Sequence, residues 1–156
     1  MESESHLEKA MDNRYLTMNV LVTPSMANFS GLMHGGELLK LLDQVAYACG
    51  TRYCGIGVIT MSVESVVFRQ PIPIGTLLTF LASVNYTGRT SCEIGIKVIS
   101  ENIKEQYVTH CVSCYFTMVA FQDGKTMPIP PLEPRTAIEK RRYQDALKRR
   151  EQRSKK

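Results

Sequence analysis

The sequence predicts an α+β domain in which an antiparallel sheet wraps around one central helix. Three observations carry this. One helical segment is apolar around most of its circumference. The hydrophobic period then changes from that of a helix to that of strands, in runs long enough for a large sheet. Turn residues separate those runs.

The first strand is expected at residues 18–22, and Pro24 ends it. A loop of small residues follows, containing Asn28, Phe29 and Gly31. His34, Gly35 and Gly36 then precede a helix expected from Glu37 to about Cys49, with Gly50 as its stop because glycine suits the left-handed position past a helix. Leu38, Leu39, Leu41, Leu42, Val45, Ala46, Ala48 and Cys49 cover most of its surface. Its polar residues Glu37, Lys40, Asp43, Gln44 and Tyr47 recur at spacings that form one narrow stripe. A helix this apolar belongs in an interior. Asp43 is therefore expected midway along a mostly buried helix.

Strands are expected at residues 58–68, 76–86, 89–100 and 107–121. Pro71 and Pro73 end the first of them, and Thr87-Gly88 turns the chain between the next two. The polar stretch 101–106 and Asp123-Gly124 bound the last. The division that follows is a core domain at 1–126, a proline-rich extended linker at 127–134 and a basic helical tail at 135–156. The tail's apolar positions, Ile138, Tyr143, Ala146 and Leu147, are sparse, so it is expected on another surface or frayed. No internal repeat is present.

A chain of 156 residues suggests one domain able to bury a substantial core. No run of about 18 apolar residues occurs, so no membrane span is expected. The acidic start at residues 1–5 has no apolar stretch and does not read as a secretory signal. The five cysteines, an odd number lying in apolar runs, fit reduced thiols, and a cytoplasmic location is expected. Cys111 and Cys114 are three apart in a strand-like stretch, where they would point to opposite faces, so no metal is expected there.

Charge is unevenly spread. Residues 135–156 hold ten Lys/Arg and three Asp/Glu, a net of +7. The chain's net charge is +4, which leaves −3 for the rest. The tail suits an anionic partner or a solvated helix. Nucleic acid is disfavoured as that partner, because the body is acidic and lacks an aromatic RNA-binding motif.

No serine-nucleophile motif, phosphate-binding glycine loop or zinc-protease motif is present. The candidates are Asn28, His34, Gly35, Gly36 and Asp43. A helix start offers unpaired N–H groups and partial positive charge, and glycine lets a substrate oxygen approach them. Gly35 and Gly36 therefore suit polarisation of a carbonyl, or simply make a tight turn. Asp43 suits a general base or nucleophile, or a solvent-facing residue paired with Lys40. His34 suits a base less well than a cap or packing residue, since no nearby carboxylate orients it. Gly88, Arg89, Thr90 and Ser91 form a turn bearing a cation that could hold a phosphate. Gly36 and Asp43 are seven residues apart, roughly 10 Å along the helix axis at ~1.5 Å per residue. That is too far for both to act on one carbonyl, so a joint site needs Asp43 from a second subunit.

The ordered set from Asn28 to Asp43, with the run from Thr60 through Glu64 to Phe68, Pro71, Gly75, the turn at 88–91 and the tail around Glu139 to Tyr143, resembles the hot-dog-fold acyl-CoA thioesterases, in particular the bacterial YciA-like and brain acyl-CoA hydrolase group. The resemblance covers about residues 12 to 153. It implies a hot-dog fold and an enzyme hydrolysing acyl-CoA to fatty acid and coenzyme A, with no cofactor because coenzyme A is part of the substrate. It implies dimers sharing two active sites, assembled as trimers of dimers, a homohexamer. It implies Asp43 as base or nucleophile, aided by Asn28 and the backbone at Gly35 and Gly36. His34, Gly88, Arg89, Thr90 and Ser91 are expected to bind substrate, with the tail helping to meet the phosphates. Leu32 stands where some members carry Asn or Asp, and Glu64 where many carry Asp. The reading from another class is a noncatalytic acyl-CoA-binding or regulatory hot-dog protein.

Overall fold

The computed structural model describes residues 12–155; the acidic start at residues 1–5 and Lys156 lie outside them. In chain order the elements are β1 (Tyr15–Leu21), a 3₁₀ turn (Pro24–Met26), α1 (Gly35–Cys54), β2 (Val58–Glu64), β3 (Leu77–Thr87), β4 (Ser91–Asn102), β5 (Tyr107–Gln122), β6 (Lys125–Thr126) and α2 (Ala137–Ser154). The long β-branched runs pair antiparallel in the order β1-β3-β4-β5-β2, with β6 added to β5.

Period-2 alternation sends one side of this sheet onto α1. Leu38, Leu42, Val45, Ala46, Cys49 and Tyr53 form the buried stripe of α1, and they pack with Leu78, Phe80, Ile94, Val98, Val112 and Phe116 from the strands. Fully burying one such side chain stabilises the fold by about 1.5–3 kcal/mol, so this stripe fixes where α1 lies. The opposite face of α1 is open. Leu39 and Tyr47 are exposed there, and so is Asp43, contrary to the expectation of a carboxylate inside a buried helix. A single chain covers one face of this helix, and its composition provides for two.

Two boundaries differ from the sequence reading. Gly50 does not stop α1. It is buried inside the helix, where an added Cβ would stand 3.0 Å from Val58, and its lack of a side chain lets β2 begin against the helix. Gly55, at φ 75°, takes the left-handed cap and donates its N–H to Thr51 at 2.9 Å. The strand expected at 58–68 ends at Glu64, because Ser65 adopts φ 62° and turns the chain away.

Three bulges displace the alternation, at Met61, Asn85 and Cys111. The one at Cys111 puts two consecutive residues, Cys111 and Val112, into the core. Cys111 and Cys114 are therefore both buried, not on opposite faces as the spacing suggested.

The stretch 127–134 is held against the body: Ile129 and Leu132 are buried, Leu132 donates to the Thr87 hydroxyl at 2.9 Å, and the Tyr53 hydroxyl donates to the Pro130 carbonyl at 2.6 Å. Helix α2 then crosses the face of the sheet turned away from α1. Thr136 caps it by accepting from the Glu139 N–H at 3.1 Å. Glu139 accepts from the Tyr15 hydroxyl and from the Arg135 N–H at the β1 side. Arg149 grips Glu93 on β4 through two hydrogen bonds of 2.8 Å and lies 3.6 Å from the ring centre of Tyr115 on β5. Arg153 reaches Glu64 on the edge strand β2 at 2.6 Å. Only Ala146 of α2 is buried. Among the described residues no helix is long and apolar enough to cross a membrane.

Candidate active site

The start of α1 is shaped by a loop that Asn28 organises. The Asn28 side-chain oxygen accepts from the backbone N–H groups of Ser30 (2.9 Å) and Leu32 (3.1 Å), and the backbone N–H of Asn28 donates to the Leu32 carbonyl at 2.7 Å. Its carbonyl oxygen thus builds the loop, and its amino group is the part left to face a ligand. His34 is the residue before the helix. Its N–H donates to Met26 at 2.9 Å and its carbonyl accepts from Leu38 at 3.2 Å, while the ring makes no capping bond and is exposed.

Gly35 and Gly36 open the helix with unpaired first-turn N–H groups. Neither has a positive φ. A Cβ at Gly35 would make only ordinary contact with the Phe68 ring at 3.5 Å, and one at Gly36 would meet nothing within 4 Å. Packing within the chain therefore does not require glycine at either position, so the tight-turn reading loses its reason. Beside them is a cleft of about 260 Å³ walled by Met33, His34, Leu38, Phe68 and Ile72. The sequence reading missed Phe68 as a wall, because it placed that residue in a strand, although Phe68 closes the resembling segment that starts at Thr60.

Asp43 stands on the open face of α1, two turns along. Its Oδ1 accepts a 2.5 Å hydrogen bond from the Thr60 hydroxyl on β2. This contact ties the carboxylate to the edge strand and fixes one of its oxygens. Thr60 was legible only as part of a resembling segment, since nothing local says that a threonine 17 residues on will meet Asp43. Leu39 and Tyr47, four residues to either side of Asp43 on the same face of α1, are exposed apolar side chains.

The turn at 88–91 is elsewhere. The Gly88 N–H donates to Ser91 at 2.8 Å, Thr90 accepts from Ala120, and Arg89 is exposed. Cys92, next in sequence, meets Cys54 at the far end of α1. Gly88 also lies beneath Arg150 of α2, whose guanidinium donates to the Tyr86 hydroxyl at 3.1 Å. The structure thus gathers Asn28, His34, Gly35 and Gly36 at one end of α1, Asp43 along it, and Gly88, Arg89, Thr90 and Ser91 at the other end. A 20-residue helix spans about 30 Å, so one chain cannot bring all three together. Among the described residues no group of three or more His, Cys, Asp or Glu side chains is placed to hold a metal.

Comparison with known proteins agrees with this geometry. The Thioesterase superfamily model matches residues 30–107. The chain is 60% identical to protein VdlD of Helicobacter pylori over 143 residues, 92% of this chain and 82% of that protein. It superposes on the crystal structure of an apo-hexameric acyl-CoA thioesterase with a TM-score of 0.87 at 34% identity, covering 93% of this chain and 94% of the other. It also superposes on an acyl-CoA hydrolase from Staphylococcus aureus, solved in complex with butyryl coenzyme A, coenzyme A and coenzyme A disulfide. There the TM-score is 0.84 at 30% identity, over 92% of this chain and 88% of the other. That hydrolase has also been solved with an aspartate, an asparagine and a threonine each replaced by alanine. The central helix, the antiparallel sheet wrapped on it and these matches together make the chain a member of the thioesterase superfamily, with the hot-dog fold.

Proposed function

We propose that the protein hydrolyses acyl-CoA thioesters at sites shared between two copies, with Asp43 as the reacting carboxylate. The observation that carries this is the Thr60–Asp43 contact on the open face of α1, where the apolar side chains of Leu39 and Tyr47 are exposed for a second copy to cover. Asp43 and Gly36 lie on one helix, roughly 10 Å apart along its axis. Two such helices side by side and antiparallel bring the Asp43 of one copy to the glycines of the other.

In that site the thioester carbonyl sits against the Gly35 and Gly36 N–H groups and the Asn28 amino group, which stabilise the oxyanion as it develops. Asp43 takes a proton from water as the water oxygen bonds to the carbonyl carbon. The tetrahedral intermediate then collapses, the C–S bond breaks, and coenzyme A leaves as the thiol. If Asp43 attacks directly, an acyl anhydride forms and water cleaves it. Side chains, backbone and water supply all of this chemistry, so no cofactor is invoked beyond the coenzyme A of the substrate. His34 borders the cleft beside the glycines. Arg89, with Gly88, Thr90 and Ser91, is assigned to the coenzyme A phosphates of a neighbouring copy's site.

The assembled form is a homohexamer built from three such dimers; a neighbour of 34% identity is hexameric. A cytosolic location suits the five free cysteines, four of them buried. The test is thiol release from acyl-CoAs of increasing chain length by wild type and Asp43→Ala protein. Loss of turnover with binding retained supports the reading. Equal turnover would show that Asp43 is not the reacting carboxylate, and binding without turnover in wild type would make the protein a noncatalytic binder.

A further inference from the structure

We propose that the protein carries a second ligand site, for a phosphate-bearing anion, in the cleft between α2 and the outer face of the sheet. The cleft has a volume of about 190 Å³. Its floor follows from strand register. Leu81, Lys97 and Ser113 are cross-strand partners, and Ser83, Gly95 and Tyr115 form the next row. Both rows point away from α1, since their neighbours Ala82, Ile94, Ile96 and Cys114 fill the core.

Gly95 leaves the middle of the floor bare. A side chain there would meet the Asn85 amide nitrogen at 2.4 Å. Asn85 is 4% exposed and fixed in place: its oxygen accepts from the Ser83 hydroxyl at 2.7 Å and its nitrogen donates to Glu93 at 3.0 Å. This polar floor is built, with each buried group satisfied, and it carries the Ser83 and Ser113 hydroxyls at its surface.

The walls are cationic. Arg149 is neutralised by Glu93. Lys97 from the sheet, with Arg141 and Arg142 from α2, faces the cleft against the single carboxylate of Asp145, an excess of +2. Among the described residues, Lys97 and Arg141 make no ion pair and no side-chain hydrogen bond. Cations converging from both walls on a small polar floor left bare at Gly95 match a compact dianion, and arginine forks suit phosphate oxygens in particular. The site lies across the sheet from Asp43, so the phosphate comes either from substrate bound by a neighbouring copy or from a separate nucleotide. Its binding readout does not depend on the hydrolase reading.

Pyrophosphate and ADP are titrated by calorimetry into the full-length assembled protein. A saturable site is expected that is retained in Asp43→Ala and in Arg89→Ala protein. Lys97→Ala with Arg141→Ala should weaken it by at least about tenfold, the loss of two charge-assisted contacts. Lys104→Ala with Lys125→Ala, the same change in charge away from the cleft, should leave it intact, and Asp145→Asn should tighten it. Absence of saturable binding, or equal losses in the two double variants, overturns the proposal. Kinetics assign the source. A KM raised for acyl-CoA but not for an acyl thioester lacking the nucleotide assigns the site to substrate phosphates. An unchanged KM for both, with ADP binding lost, assigns it to a separate ligand.

Discussion

The two helices are nearly equal in length and lie on opposite faces of the same sheet, yet different forces hold them. Helix α1 has seven buried residues and is fixed by apolar burial. Helix α2 buries one, Ala146, and is fixed by carboxylates: Glu139 within it, which binds Tyr15 and Arg14, and Glu93 and Glu64 beneath it, which bind Arg149 and Arg153. Asp12 takes Arg135 just before it. Three of the tail's ten cations, Arg135, Arg149 and Arg153, therefore answer acidic groups of the protein and are not free for a ligand. The difference teaches that a helix with few apolar residues need not fray when its charges have buried or shielded partners. It also means that salt and pH should act on α2 and spare α1.

The largest effect should come from the open face of α1. Asp43→Ala should lower kcat by about 10²–10⁴-fold, the usual worth of a positioned acid–base group. The folded chain's stability, read by thermal melting, should be little changed because Asp43 is exposed in the chain, and sedimentation on the same sample separates lost catalysis from lost assembly. Thr60→Ala should lower kcat by about tenfold through loss of a hydrogen bond to a charged oxygen, without raising KM to match. If Thr60→Ala matches wild type, the contact orients nothing.

The buried side of α1 comes next. Leu42→Ala should destabilise the whole fold by about 2–5 kcal/mol in denaturant titration, because Leu42 is fully buried among core residues. The counterpart in α2 is Arg149→Ala. It strands the buried Glu93 carboxylate, and such losses cost about 3–5 kcal/mol. The contrast lies in where the damage falls: hydrogen exchange should rise across the sheet in the first variant and mainly in α2 in the second. Exchange that rises equally everywhere in both would break the distinction between the helices.

The smallest effect concerns acid. Burial alone would push the Glu139 carboxyl up, but hydrogen bonds from the Tyr15 hydroxyl and the backbone at Arg135 and Thr136, with the Arg135 charge, outweigh it and hold it below its ordinary value. The Tyr15 hydroxyl, pushed up to about 12 by burial and by Glu139, stays protonated as the donor. Because the folded value of Glu139 is depressed, its contribution is full above the ordinary carboxylate value of 4.5 and is lost as pH falls through the folded value. Amide exchange in the first turn of α2 should therefore rise below pH 4.5 while that of α1 stays slow. Glu139→Gln should remove this pH dependence.

Much of the architecture was legible because each strand is written in a local period of two and α1 in a period near four. Leu38, Leu42, Val45 and Cys49 mark the core stripe in any arrangement that buries one face of that helix. Gly35, Gly36 and Asp43 could be named as candidates from the sequence, since helix starts and carboxylates on apolar helices are local features, whereas Asn28 took its role from the family resemblance. The bulges were not. An extra residue at Cys111 or Asn85 is dictated by its partner strand, so spacing within one strand misplaced Cys111 relative to Cys114.

The sequence by itself determined the α+β class, the antiparallel run of long strands, the composition of α1 and the segregation of positive charge into the tail. These depend on periods and charges that neighbouring residues carry. Only the tertiary structure decided that Gly50 lies inside α1, that the chain turns at Ser65, that Thr60 holds Asp43, and that Arg149 and Arg153 meet Glu93 and Glu64. Those pairs join residues 17, 56 and 89 positions apart. Which of many possible partners a charge or hydroxyl meets is set by how the sheet curls around the buried stripe of α1, and no local pattern encodes that curvature.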